Sequence, residues 1–346
     1  MAYQKLKIYY FSGTGNSKNV ATWMSLAAEK NKAECSINNI GAIDCDQIMS
    51  EPADTLIVFV SPVHGFNYPP VMLKFITRFP KGSNRVVLMD TRAGMLIGNF
   101  NLPGLSGAAF LFSSLILKIK GYSIAGIKPV DLPSNWISIH PGLNERTVIN
   151  LHNRHKAKVI DFGEAVLSGK KVYISLPEFI IDLIIAPISI LYYLAGRFFF
   201  AKTFYTSRDC NDCDICVKNC PVKAIIKIDN RPFWTFKCES CMRCMSNCPQ
   251  KSIETAHGFI ISYCLFSSVL TGLFFYFFDN LLFIIPDGFI RFILETALFL
   301  LFLGIFHFIV HYLIRFRFFE RLIVYTSLTK YKFWGKRYKA LNEPIL

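Results

Sequence analysis

The sequence lacks the signatures of several common nucleotide-dependent enzymes. No Gly-Lys-Ser/Thr run is present, which counts against a Walker loop and ATP hydrolysis. No loop of the GxGxxG kind is present either, so we expect no direct binding of NAD(P)H. A secretory signal is also missing, because Lys5 and Lys7 lead through a short apolar segment into a glycine turn. We therefore expect the amino-terminal domain to stay in the cytoplasm.

Acidic residues are scarce relative to basic ones. The chain of 346 residues has 38 Lys and Arg against 24 Asp and Glu, which gives a formal net charge of +14. No basic run with interleaved aromatic residues lies on a soluble segment, so we expect no nucleic-acid partner. Because 52% of the residues are hydrophobic, membrane lipid or an acidic redox partner protein explains the charge better.

Cysteine is rare outside one short segment. Eight of the 11 cysteines lie between Cys210 and Cys248, in two copies of the pattern CxxCxxCxxxCP. Three thiolates two residues apart can wrap three corners of one iron–sulfur cubane, and the fourth, after a turn, ligates the other cluster. The spacing predicts one cluster on Cys210, Cys213, Cys216 and Cys248, and a second on Cys238, Cys241, Cys244 and Cys220.

Structural zinc sites are the alternative, since CxxC pairs also bind zinc. Zinc needs only four ligands, however, and gives no reason for the longer pattern to occur twice. The segment closely resembles the bacterial two-cluster ferredoxin domain, with all eight ligands and both following prolines present. The resemblance implies a small α+β domain over 205–257 that carries two 4Fe–4S clusters.

The first 170 residues alternate short apolar strands with helical patterns. The predicted strands are 5–11, 33–40, 55–61, 85–91 and 122–130, and the predicted helices are 17–30, 70–79, 107–120 and 144–168. Such alternation makes a parallel sheet that is covered on both faces. We predict a doubly wound α/β domain over 1–175, with a ligand beyond the carboxyl ends of its strands.

Three loops are expected to meet at that edge of the sheet. The loop 12–17 consists of small and hydroxyl residues before a helix, where backbone groups and the helix dipole bind phosphate. The loops 61–70 and 91–95 follow the third and fourth strands. A lone glycine turn would be weak support, because a tight strand-to-helix connection looks the same, but the three loops agree.

This set of loops resembles the flavodoxins over roughly 5–170, although flavodoxins are usually acidic. The resemblance implies FMN, with its phosphate held by Ser12, Gly13, Thr14, Gly15, Asn16 and Ser17. It also implies that the isoalloxazine ring is flanked by Pro62, Val63, His64, Gly65 and Tyr68, and by Thr91, Arg92, Ala93 and Gly94. The usual pair of stacking aromatics is not obvious, and Tyr68, Phe66 and Trp136 are the candidates.

Two long apolar segments follow the cysteines. The segment 259–278 has 20 residues without a charge, and 292–314 is of similar length, so each can cross a bilayer. We predict a transmembrane helix hairpin over 258–315 and a basic tail over 316–346. Ten Lys and Arg lie in 197–257 and eight lie after 314, against Arg291 alone in 279–291. The positive-inside rule therefore places the ferredoxin-like domain and the tail on the cytoplasmic side of the inner membrane.

The apolar segment 176–204 is ambiguous. Asp182 and Pro187 interrupt it, so we interpret it as an interfacial or packed connecting helix. If it spanned the membrane instead, the flavin and the clusters would lie on opposite sides.

The order of the domains resembles the flavodoxin–ferredoxin fusion proteins of anaerobic bacteria and archaea, here with added transmembrane helices. We expect a membrane-anchored protein that passes electrons between FMN, two 4Fe–4S clusters and a redox partner such as a ferredoxin or an oxidoreductase subunit. We interpret the i, i+4 pair His307 and His311 as hydrogen-bonding to the other helix or lying at the headgroup level, and a contact with quinone or with a partner subunit is the functional hypothesis. A membrane-tethered redox sensor or assembly factor without turnover is the alternative.

Overall fold

A computed structural model describes residues 2–97, 100–282 and 288–334. The chain divides into two compact units. The first contains the residues up to Trp136 together with Gly142–Leu191, and the second contains Ile137–Pro141 together with the chain from Tyr192 onward.

The first unit is a doubly wound α/β sheet. Its strands are β1 Lys5–Tyr10, β2 Glu34–Asn39, β3 Thr55–Pro62, β4 Arg85–Ile97, β5 Phe100–Leu102 and β6 Ser123–Pro133. Its helices are α1 Asn16–Lys30, α2 Pro70–Arg78, α3 Ala109–Ile119 and α4 Glu145–Leu167. The five parallel strands lie in the order β2-β1-β3-β4-β6, which is the flavodoxin-like order, so the predicted sheet is confirmed.

Helices cover both faces of this sheet, which is why its central strand β3 is apolar throughout. Residues 56–60 of β3 are fully buried. On one face α1 packs so closely on α4 that a Cβ on Gly163 would lie 2.5 Å from the Cβ of Ala27. On the other face Tyr9, Phe59 and Phe79 form an aromatic cluster with ring centroids 5.1–5.8 Å apart.

Strand β4 is longer than the sequence predicts. The expected loop 91–95 is part of the strand, which continues to Ile97 and pairs with the antiparallel strand β5. Gly94 makes this possible, since a Cβ there would lie only 2.9 Å from the Cβ of Asp131 on the neighbouring strand β6. The prediction was wrong because the small residues Ala93 and Gly94 were interpreted as a loop, whereas they permit close approach of two strands.

A long helix follows the sheet. It begins as α5 Leu176–Leu191, passes through a π-helical turn at Tyr192–Gly196 and ends as α6 Arg197–Ala201. Pro187 does not end it, although a π-helical turn lies just beyond. The interruption expected from the sequence is therefore a local irregularity within one helix.

Two acidic side chains fix the start of α5 to the first unit. The buried carboxylate of Asp182 accepts hydrogen bonds from the backbone N–H groups of Ser106, at 3.0 Å, and Gly107, at 2.8 Å. Glu178 forms an ion pair with Arg92, with Nη2 and Oε1 2.7 Å apart. Asp182 therefore holds α5 against the backbone at Ser106 and Gly107, and we call this its docking role.

The second unit begins with a small α+β arrangement. Its elements are β7 Phe204–Thr206, α7 Ile215–Lys218, β8 Ile225–Ile228, β9 Arg231–Trp234, α8 Arg243–Asn247 and β10 Ile253–Thr255. Strand β7 pairs antiparallel with β10, and β8 with β9. The β8–β9 turn is closed by Asp229 and Asn230, both with positive φ, as a type I′ hairpin turn requires.

Two long apolar helices, α9 His257–Leu282 and α10 Phe289–Leu313, come next. Among the described residues, three helices are long and apolar enough to cross a membrane: Leu176–Ala201, His257–Phe274 and Phe289–Leu313, with mean hydropathies of 2.0, 1.5 and 2.3. Helices α9 and α10 pack through aromatic pairs such as Phe266 and Phe306, whose centroids are 4.9 Å apart. The predicted turn at Pro286 lies outside the described residues.

The described part of the predicted tail is folded. Helix α11 Arg317–Tyr325 and the residues after it pack on the strands of the second unit. The hydroxyls of Ser327 and Tyr205 are 2.8 Å apart, and Thr329 Oγ1 accepts a hydrogen bond from the N–H of Thr255 at 3.0 Å. The basic composition hid this packing, because only a few positions of α11, such as Val324 and Glu320, are buried.

We predict that Asp182→Leu destabilises the protein although it makes α5 more apolar. The substitution leaves two buried N–H groups without an acceptor, which is expected to lower the free energy of unfolding by about 1–3 kcal/mol. Chemical unfolding of the full chain in detergent, followed by tryptophan fluorescence, measures this loss. Asp182→Asn keeps an acceptor and is the matched control, with a smaller loss expected. A Leu variant as stable as the parent would contradict the docking role.

Candidate functional site

The carboxyl ends of β1, β3, β4 and β6 bring the predicted loops of the first unit together. The hydroxyls of Ser17, at the start of α1, and Thr91, in β4, are 2.9 Å apart. The side-chain amide of Asn16 donates to the carbonyl of Pro133, at the end of β6, at 2.8 Å. The loop 12–17 therefore lies at the sheet edge where the sequence predicts it.

The conformation of this loop suits an anion. Gly15 has a φ of 116°, in the left-handed region that glycine tolerates, and its N–H donates to the hydroxyl of Ser12 at 3.0 Å. The N-cap residue of α1 is Gly15, which has no side chain to cap the helix, and the positive end of the helix dipole lies at this edge. The hydroxyl of Thr14 accepts a hydrogen bond from the Asn135 amide. Together these groups can hold a phosphate.

The loop 61–70 is built on a tight turn. His64 and Asn67 exchange backbone hydrogen bonds, and Gly65 and Phe66 between them have φ values of 55° and 63°. The carbonyl of Phe66 accepts from the N–H of Ala108 at 2.9 Å, which anchors the turn. The ring of the buried His64 lies 5.5 Å from that of Trp136. Pro62, Val63, Gly65, Phe66 and Trp136 are half-buried.

Tyr68 and Arg92 do not have the surroundings that the predicted flavin contact requires. Tyr68 is fully buried, and its hydroxyl donates to the carbonyl of Met89 at 2.8 Å, so its ring belongs to the core. Arg92 is also buried, and it pairs with Asp131 at 2.7 Å and with Glu178 at 2.7 Å. A strand-to-helix loop can turn one aromatic inward and leave another partly accessible, and in this loop the half-buried aromatic is Phe66.

Sequence reasoning missed a titratable group below this edge. Asp90 is fully buried at the position before Thr91. Burial raises the pKa of Asp90 to about 7, against the opposing charge of Arg92. The sequence does indicate this group, because Asp90 is the one charged residue in the otherwise apolar run 86–90. The edge of the sheet therefore contains a carboxyl group that changes its charge near neutral pH.

The eight clustered cysteines line two cavities of the second unit. One cavity is lined by Cys210, Cys213, Cys216 and Cys248. The other is lined by Cys220, Cys238, Cys241 and Cys244. Each cavity thus takes three cysteines from one motif and the fourth from the other.

The backbone of the two motifs repeats residue by residue. Left-handed residues occur at the same offsets in both copies, and the corresponding pairs are Asp212 and Ser240, Asp214 and Met242, and Lys223 and Lys251. Such alternation between left- and right-handed residues turns successive N–H groups inward and makes an anion-binding concavity. The N–H groups of Ala224 and Ser240 donate to the sulfurs of Cys220, at 3.2 Å, and Cys238, at 3.4 Å.

Burial makes these thiols reluctant to ionise without a partner. It raises the pKa of Cys216 and of Cys241 to about 11. Burial acts in the same sense on Cys248, but hydrogen bonds from Ser252 and nearby backbone groups lower the pKa of this thiol overall. Within the described ranges, no three or more His, Cys, Asp or Glu side chains lie close enough together to hold one metal ion. The four thiols of each group instead lie around a cavity.

Comparisons with known proteins identify only similar structures. No protein-family model matches the chain, and no curated protein sequence matches it. A flavodoxin from the domain Archaea aligns at 11% identity and a TM-score of 0.30, over 46% of this chain and 99% of that one. A Fusobacterium nucleatum flavodoxin variant bound to flavin mononucleotide aligns at 13% identity and 0.31, over 46% and 96%. The rubredoxin:oxygen oxidoreductase of Desulfovibrio gigas aligns at 17% and 0.26, over 47% and 37%. The fold of the first unit rests on its own strand order and not on these scores.

Proposed function

We propose that this chain is a membrane-anchored electron-transfer protein that carries FMN and two 4Fe–4S clusters and exchanges electrons with a redox partner protein. The observation that carries the proposal is the pair of cysteine-lined cavities, each completed by the fourth cysteine of the other motif. The domain order is that of the flavodoxin–ferredoxin fusion proteins, with membrane helices added.

The cysteine cavities fit cubanes better than zinc ions. One zinc ion draws four sulfurs to about 2.3 Å from a single point, whereas a cubane offers a separate iron to each sulfur and keeps the sulfurs apart. The four thiols of each group line the wall of a cavity, which is the arrangement that a cubane requires. Inward N–H groups, such as that of Ala224, would stabilise the negative charge of the ligated sulfurs.

The sheet edge of the first unit fits FMN. Ser12, Thr14 and the first turn of α1 would hold the phosphate, and the half-buried Val63, Phe66 and Trp136 would flank the ring. FMN exchanges electrons singly or in pairs, which allows a two-electron donor to serve one-electron clusters. The protein residues bind and orient the group and tune its potential.

The helices α9 and α10 would anchor the protein in the cytoplasmic membrane, with the first unit, the cysteine-containing segment 205–257 and the tail 316–346 in the cytoplasm. The basic residues of 197–257 and of the tail favour this orientation. The docking of Asp182 and Glu178 favours an interfacial position for the start of 176–204. The redox partner would then be a ferredoxin or an oxidoreductase subunit at the same face.

We predict about eight iron and eight sulfide per chain in protein purified without oxygen, since each cubane holds four of each. Cys216→Ala should remove the cluster of the first cavity, and Cys220→Ala that of the second, because the two thiols line different cavities. Electron paramagnetic resonance of the reduced variants distinguishes the losses. Cys264→Ala, an exposed cysteine outside both cavities, is the matched control. Loss of the same signal in both variants, or stoichiometric zinc instead of iron, would refute the assignment.

We predict about one non-covalently bound FMN per chain, and its loss in Thr14→Glu. The acidic side chain would repel the phosphate and fill the loop in front of the first turn of α1. Flavin released by denaturation is measured by fluorescence. Thr77→Glu makes the same change on the exposed face of α2 and should retain the flavin. Full FMN content in the Thr14 variant would place the flavin elsewhere.

We predict that protease digests the first unit and the tail 316–346 in inside-out membrane vesicles and neither of them in intact spheroplasts. This result follows from an even number of spans between the basic stretches. Antibodies against the first unit and against the tail identify the fragments, and a periplasmic protein tests the sealing of the vesicles. Digestion of the first unit and the tail from opposite sides would instead show that 176–204 crosses the membrane.

A further inference from the structure

The second unit has a third cavity, separate from the two lined by cysteines. It lies between α10 and the strands β7 and β9. Its walls include Lys202, Arg231, His307 and His311. It shares Thr206 and Pro232 with the first cysteine cavity, and Phe204 with the second. A molecule in this cavity would therefore contact residues that also line the two cavities with the cysteines.

The two histidines are fixed in place by β8, β9 and the segment before β7. Both rings pack on Phe233, with centroid distances of 4.7 Å for His307 and 5.1 Å for His311. The ring of His307 also bonds the backbone of Lys202, and that of His311 bonds the backbone of Ile228. These contacts leave the rings little freedom to reorient.

One nitrogen of each ring remains unused. The Nε2 atoms of His307 and His311 are buried and have no hydrogen-bond partner among the described residues, and His307 is only 5% exposed. Since Nδ1 must donate where it meets a backbone carbonyl, Nε2 of the neutral ring is an acceptor. A buried acceptor without a donor lowers the stability of the fold. A ligand with two donor groups, or one donor at each histidine, would satisfy both Nε2 atoms.

Positive charge is also present in the wall of the cavity. Lys202 is 3% exposed, and its Nζ lies 4.6 Å from the centroid of Phe233 and 4.3 Å from that of Phe236. Arg231 is half-buried. Buried cations beside aromatic faces suit a flat, electron-rich ring with oxygen substituents.

We propose that this cavity binds the head group of a membrane quinol, whose hydroxyl groups donate to the Nε2 atoms of His307 and His311. The proposal rests on the proposed function, because oxidation of a quinol releases two electrons and two protons. The two Nε2 atoms accept the protons, and the two clusters, each a one-electron acceptor, account for the electrons. Reduction of a quinone is the same reaction in reverse. The histidines lie near the end of α10 at Leu313, about half a turn from it for His311 and nearly two turns for His307, which suits a ligand that enters from the membrane.

The test uses the full chain with its clusters, purified in detergent, and a redox-inert quinol analogue, heptyl-hydroxyquinoline N-oxide. Saturable quenching of the fluorescence of the analogue is expected. The double variant His307→Asn with His311→Asn should weaken binding at least tenfold, because Asn can still donate to the carbonyls but has no group in place of Nε2. Tyr312→Asn, on an exposed position of the same helix, is the matched control and should bind like the parent.

Cluster content and re-oxidation by ferricyanide separate this proposal from the proposed function. Missing clusters in the parent protein would refute the latter, whereas intact clusters with no saturable binding would refute only the quinol site. Unchanged binding in the double variant would overturn the proposal, as would a stoichiometric metal ion or haem bound by the histidines. If the double variant does not retain its clusters, each single Asn variant is tested, and at least one must weaken binding.

Discussion

The crossed arrangement of the cysteines constrains the whole second unit. Because Cys248 lines the cavity of the first motif and Cys220 that of the second, neither motif can form a complete cradle by itself. The chain must return to its starting point, and it does so through the pairing of β7 with β10, in which Phe204 lies opposite Thr255. The N–H of Ala256 also donates to the carbonyl of Thr203 at 2.8 Å. The residues that enter and leave the cysteine segment are therefore neighbours.

This closure determines where the apolar helices meet. Helix α6 ends at Ala201 and α9 begins at His257, on the two sides of the closing strand pair. Phe199 consequently packs on Tyr263 and Phe299, with centroid distances of 5.6 and 6.1 Å. The residues after α11 pack on the same strands, where Thr329 accepts from Thr255. The return of the chain from the second cysteine motif to the first thus arranges the ends of three helices that contain none of these eight cysteines.

Sequence patterns that repeat or alternate predict the strands and the grouping of the cysteines. They do not predict whether an individual side chain, such as that of Tyr68, points into the core. The alternating pattern predicts the five parallel strands, and the duplicated spacing predicts which four cysteines line each cavity. By contrast, Tyr68 and Phe66 stand two residues apart in one loop, and only the φ values of the turn decide which ring is buried. Asp182 was interpreted only as an interruption, because its acceptor role depends on the N–H groups of Ser106 and Gly107, distant in sequence.

The proposed clusters would offset the excess positive charge of the segment that contains the cysteines. Residues 197–257 contain ten Lys and Arg and six Asp and Glu, an excess of four positive charges. A cubane with four thiolates carries about −2 in its oxidised state, so the two proposed clusters would neutralise this excess. In that case the basic residues of this segment would offset the negative charge of the clusters and their thiolates. They would then not indicate a nucleic-acid-binding surface. The proposed orientation in the membrane would consequently depend more on the region after Ile314, which has eight basic residues, two acidic residues and no cysteine.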